Sequence, residues 1–183
     1  MLKVNEFVHW EDPDRGLSSG IHKVIGIHPE DEEQCEDTIF TLRNAMGSVA
    51  EVPPHEITKV TGVNLKVEYL YRDANNYKQG GSAILNGVPE NLSDLDTSGS
   101  YDFKIAEKWG LKDGDGFIPG IVGFSDLQER FSANCPEDDH PWHTFEGWVF
   151  TTEPEDTGMT WEEFDQKMTN QDWGDLKLEM YEW

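Results

Sequence analysis

The sequence predicts an α+β protein in two parts. Residues 1–60 read as a small all-β barrel, and residues 65–183 as an acidic α+β domain with an antiparallel sheet and a few short helices. Two observations carry this reading. Short β-prone runs alternate with turn-forming clusters in the first part, and strand patterns mix with helix-forming segments in the second. A third shows that a core is affordable: only 36% of residues are apolar, but seven Trp, nine Phe and five Tyr supply large buriable surfaces. Disordered chains are poor in such residues, so that class is excluded.

The elements follow in order. "VNEFVHW" (4–10) is a strand that runs into "EDPDRG", a turn rich in Asp, Pro and Gly. "GIHKVIGIH" (20–28) alternates Ile21, Lys23, Ile25 and Ile27 against His22, Val24, Gly26 and His28. "EDEEQCED" (30–37) reads as a solvated acidic loop before the β-prone "TIFTLRN" (38–44). "AMGSVAEV" (45–52) turns at Gly47 into a fourth strand, and "PPHEI" (53–57) is a single-turn connector. In strand number, in the charged loop after Trp10 and in the short turn before the last strand, these residues resemble SH3-like and Tudor-like barrels.

"TKVTGVN" (58–64) is the expected junction. Beyond it, "LKVEYLY" (65–71) places Leu65, Val67, Tyr69 and Tyr71 on one face of a strand. "RDANNYKQGG" reads as a polar turn, and "SAILNGV" (82–88) as the returning arm of a hairpin. Helices are expected over "YDFKIAEKWGL" (101–111), which ends at a glycine, and over "FSDLQERF" (124–131), with Ser125 as its cap. "WHTFEGWVFTTE" (142–153) is the most aromatic strand. "TWEEFDQKM" (160–168) is the clearest helix, with Thr160 and Glu163 spaced as a capping box.

Charge is the unusual bulk property. Thirty-seven acidic residues against fourteen basic ones give a formal net charge of −23. Residues 1–60 carry −7 and residues 61–183 carry −16. Such a field repels nucleic acid and anionic membrane and attracts basic protein surfaces. Direct nucleic-acid binding is disfavoured, because its affinity comes largely from Lys and Arg on phosphates. The acidity serves either solubility or recognition, and composition leaves both open. Cys35 and Cys135 form no CxxC pair and no disulfide framework, which fits a reducing compartment. "MLKVNEFVHW" lacks the pattern of a signal peptide, and no run reaches the roughly 18 apolar residues of a membrane span. A cytoplasmic location is the expectation.

Four segments bear on chemistry. "PEDDHPWHTFEGW" (136–148) concentrates Asp139, His140 and His143. With Pro141 between the histidines and a strand pattern following, the two imidazoles share no helical face, so a turn whose histidines cap or pack is favoured over a metal site. "LKDGDGFIPG" (111–120) contains the "DGDGFI" of an EF-hand loop, but the register puts Leu111 and Val122 where carboxylate ligands belong, and that reading fails. "GFSDL" (123–127) misses the last glycine of G-x-S-x-G. "YLYRDANNYK" (69–78) presents Arg72, Asp73, Asn76, Tyr77 and Lys78 at a hairpin tip, able either to read a partner or to lock the turn.

Taken in order, "YLYRDANNYKQGG", "DGFIPGIVGFSDLQ" and "EDDHPWHTFEGWVFTTE" resemble an uncharacterised bacterial family associated with plasmids, phages and other mobile elements. Its pattern is Y-R-D-x-x-N-Y-K, then F-I-P-x-x-V-G, then D-H-x-W-H. The matching positions are Tyr71, Arg72, Asp73, Asn76, Tyr77 and Lys78; Phe117, Ile118, Pro119, Val122 and Gly123; and Asp139, His140, Trp142 and His143. The resemblance implies a shared fold over about residues 65–155 and implies no activity.

The expectation is therefore a non-enzymatic protein-binding module without a cofactor. Its partner would be a basic protein surface such as a nucleic-acid-binding enzyme, inhibited by mimicry of its substrate, which suits counter-defence. The partner-binding candidates are Arg72, Asp73, Asn76 and Tyr77, with Glu153, Glu155, Asp156, Glu162, Glu163 and Asp165. One alternative is a metal-assisted hydrolase or lyase using Asp139, His140 and His143 with Arg72 or Asp73. Another is a structural subunit of a larger assembly.

Overall fold

Residues 7–60 build the first sheet from Phe7–Trp10 (β1), Gly20–His28 (β2), Ile39–Arg43 (β3), Val49–Val52 (β4) and Ile57–Val60 (β5). The computed structural model describes residues 1–14, 16, 18–29, 35–73, 77–95, 108–111, 116–127 and 141–176. The strands pair antiparallel in the order β4-β3-β2-β1-β5, so the fifth strand returns to the first. A closed barrel, expected from the sequence, is not found: β4 and β5 are the two edges and do not pair. Val8, Trp10, Val24, Phe40, Leu42 and Val52 form this layer's core. The indole N–H of Trp10 donates to Glu56 at 2.9 Å, which pins the 3-10 turn Pro54–Glu56 beneath it.

β2 has two faces that both become buried. Val24 joins the first core and His22 lies against Trp10, whereas Ile21 packs toward the second sheet. The alternation expected across the whole strand fails at Ile25, where a bulge between Val24 and Gly26 shifts the register. The inserted residue is turned outward, 40% exposed, and Ile27 after it joins the first core.

The second sheet has the order β7-β6-β8, from Asn64–Arg72 (β6), Lys78–Leu85 (β7) and His143–Thr151 (β8), all antiparallel. Leu65, Val67, Tyr69 and Tyr71 are buried on one face, as the period of two requires. Over that face pack Leu95, Trp109, Phe117, Phe124, Trp161 and Phe164. Gly80 and Gly81 lie inside β7 rather than in the turn the glycines suggested. The helix expected at 124–131 is not seen in its described part. A short helix instead occupies Pro119–Val122 (α1), with proline pre-set for its first turn and Gly123 closing it at φ 92°. Trp161–Asn170 (α2) carries the predicted capping box, and Trp161, Phe164 and Met168 form its buried face. Most of the helix expected over 101–111 lies outside the described residues. No helix among them is long and apolar enough to cross a membrane.

The sheets meet where the β3–β4 turn reaches β8. The Met46 sulfur accepts the Trp148 backbone N–H at 3.2 Å, and Phe7 packs edge-on against Phe150. Gly147 makes the approach possible, since a Cβ there would stand 2.9 Å from that sulfur. The outer edge of β8 is thereby covered.

Candidate functional site

The three motifs of the sequence reading meet at His143. Tyr71 of β6 is its cross-strand partner, and their rings are 5.3 Å apart. Phe117 forms a backbone bridge with it, at 2.9 Å and 2.8 Å. Gly116 lets that bridge form, because a Cβ there would come within 2.8 Å of the His143 carbonyl oxygen. The imidazole is buried, and both its nitrogens are engaged. Its Nδ1 lies 2.9 Å from the Pro141 carbonyl, and its Nε2 accepts the Leu127 N–H at 3.2 Å. With Nε2 an acceptor, the proton belongs on Nδ1, donated to Pro141. A metal at Nε2 would have to displace the Leu127 N–H.

Asp126 places a carboxylate oxygen 3.4 Å from the same Nε2. Sequence reasoning missed this residue: "GFSDL" drew attention only as an incomplete nucleophile motif, and nothing in its spacing points to a histidine seventeen positions on. The backbone carbonyl of Ser125 next to it accepts the Tyr69 hydroxyl at 2.8 Å. Burial pushes the Tyr69 phenol up to about 12, so it is a donor and not a base. Asp139, His140 and Asn76 lie outside the described residues. Among those described, no three His, Cys, Asp or Glu side chains gather in a metal-holding group. Trp142 packs partly buried against the second core.

The proposed partner-binding residues divide into a group at the β6–β7 tip and a group over 153–165, of which Glu153 and Asp156 lie toward the other end of the second sheet and Glu162, Glu163 and Asp165 lie on α2. Arg72, Asp73 and Tyr77 stand at the β6–β7 tip. Asp73 locks it, accepting the Tyr77 N–H on its side chain at 2.7 Å and donating its own N–H to the Tyr77 carbonyl at 3.1 Å. Arg72 is exposed directly across from Lys78, and Tyr77 is 65% exposed. Glu153 and Asp156 are tied instead to Lys66 and Ile84, which face each other about 20 Å away along β6.

Most of the second group serves the fold. Asp156 accepts the Ile84 N–H at 2.7 Å and donates its own N–H to the Ile84 carbonyl at 3.2 Å, continuing the ladder of β7. Glu155 accepts the Gly158 N–H at 2.6 Å. Glu163 completes the capping box. Asp165 accepts from the Trp109 indole at 2.9 Å and pairs with Lys108 at 2.6 Å. Glu153 pairs with Lys66 at 2.9 Å, which holds its carboxyl below the usual range. Glu162 alone of the six is exposed without a partner among the described residues.

Comparisons of the chain with protein-family models, with curated proteins and with solved structures each give no match.

Proposed function

We propose that the chain is a non-enzymatic, acidic protein-binding module whose partner is a basic protein surface. In its sharpest form it inhibits a cytoplasmic nucleic-acid-binding enzyme by occupying the phosphate groove. The observation that supports this reading is the surplus of solvent-facing carboxylates. Glu11, Asp14, Glu36, Asp37, Glu51, Glu68 and Glu162 are all exposed, and none pairs with a cation among the described residues. Glu36 and Asp37 lead into β3, and Glu51 faces Thr41 at the middle of the same strand, so the three are carried along β3 and its partner β4. The acidic run upstream adds charge to that connection in sequence. The order β4-β3-β2-β1-β5 supports the SH3-like reading of residues 1–60, a module class that binds through one face. The resemblance to a mobile-element family favours a target in host defence.

The test is capture from bacterial lysate at low salt, release by a salt gradient, and challenge of the captured protein with duplex DNA. The proposal expects one basic nucleic-acid enzyme, released as salt rises and displaced by DNA. Glu36→Gln, Asp37→Asn and Glu51→Gln together should weaken its capture. Scattered abundant basic proteins, or a partner indifferent to DNA, would sink the mimic reading.

A further inference from the structure

The edge of β7 is finished at one end and open at the other. Two observations fix which of its backbone groups point away from β6. At the tip, Asp73 donates to the Tyr77 carbonyl at 3.1 Å, so the next pair, Arg72 and Lys78, does not exchange hydrogen bonds. At the other end, Ile84 bonds outward to Asp156, and Asn86 donates to the Met159 carbonyl at 2.8 Å. By the period of two, the N–H and C=O groups of Lys78, Gly80 and Ser82 also point outward. Nothing pairs with them among the described residues, and all three residues are exposed. A Cβ built on Gly80 would meet nothing within 4 Å.

Beside this edge stand two cations, Arg72 and Lys78, directly opposite each other and without a carboxylate partner among the described residues. Like charges facing each other across two strands are unfavourable. In a chain with fourteen basic residues among 183, this is a reversal of sign confined to the Lys78 end of the edge, because the exposed Glu68 faces Ser82 at the other end.

We propose that the Lys78–Ser82 edge binds an extended peptide segment that carries a carboxylate, by addition of a strand to the second sheet. The backbone of the segment would pair with Lys78, Gly80 and Ser82. Its carboxylate would lie across from Lys78 within reach of Arg72, and the bare Gly80 leaves room for a large neighbouring side chain. A second copy of the chain fits less well, because repulsion grows with the product of the charges and each copy carries −23. A segment with one or two acids meets little of that field beyond a Debye length of about 8 Å.

The test is an amide-shift titration of the isotope-labelled full chain with a capped Thr-Val-Thr-Glu-Thr-Val-Thr peptide at millimolar concentration, and with its Gln counterpart. The proposal expects saturable shifts centred on Lys78–Ser82, with the Gln peptide bound about threefold more weakly. Ser82→Pro removes one outward N–H while leaving the β6 ladder intact, and should abolish the shifts without altering the remaining spectrum. Should that variant unfold, Arg72→Thr with Lys78→Thr keeps the edge and should erase only the preference for Glu over Gln. Absence of saturable shifts, shifts centred elsewhere, or equal binding of the two peptides would overturn the proposal.

Discussion

Along β8 the outer edge of the second sheet meets the Met46 sulfur, whereas along β7 it meets Asp156 at one end and solvent at the other. An exposed strand edge invites association, so native chains cover it or make it unattractive. Here one edge is covered by a turn from the first sheet and half of the other by a carboxylate and its loop. The comparison shows that an acid counted as surface charge can be a structural part: Asp156 acts in place of a strand residue. It also separates two kinds of charge. The acids at 153–165 are mostly bonded within the fold, while the two cations at the β6–β7 tip are not.

The largest effect should come from breaking the start of β8. His143→Ala leaves the Leu127 N–H and Pro141 carbonyl without their partner and opens a cavity, and should lower stability by about 3 kcal/mol in urea denaturation. Next is the finished end of β7. Asp156→Ala strands the Ile84 N–H and should cost about 2 kcal/mol, with Asp156→Asn costing less because an acceptor remains. Ser82→Ala at the open end should change stability by less than about 0.5 kcal/mol. Equal losses at both ends would erase the distinction.

Acid should act on the bonded charges and spare the cations. Burial holds the His22 imidazole below its ordinary 6.5, so the unfolded chain takes up its proton first as pH falls. Stability therefore declines from about 6.5 down to the lowered folded value. Glu6 and Glu153 are held below 4.5 by Lys59 and Lys66, so their contributions are complete above 4.5 and are lost as pH falls through their folded values. Denaturation midpoints should thus drop in two stages on acidification, and His22→Gln should remove the upper one. The smallest effect belongs to the tip: Lys78→Glu replaces a like-charge pair by an opposite one and should raise stability by about 0.5 kcal/mol.

The sequence revealed the elements whose signals are local. Thr160 and Glu163 announced the capping box, and the buried face of β6 followed from simple alternation. It misled where a rule of thumb met a tertiary override. Gly80 and Gly81 read as turn residues but lie within a strand, since the hydrogen-bonded Asp73–Tyr77 lock closes the turn earlier. Alternation across β2 ignored a bulge that exists only in pairing with β3. The roles of Asp156 and Asp126 depend on partners seventy-two and seventeen positions away, Ile84 and His143. No local pattern marks such contacts.

The most direct test of the two-ended β7 edge is native-state amide hydrogen exchange along residues 78–86. Protection of the Ile84 and Asn86 amides, with Lys78, Gly80 and Ser82 exchanging near the free-chain rate, is the predicted result. Uniform protection along the strand, or an Ile84 amide as fast as that of Ser82, would contradict it.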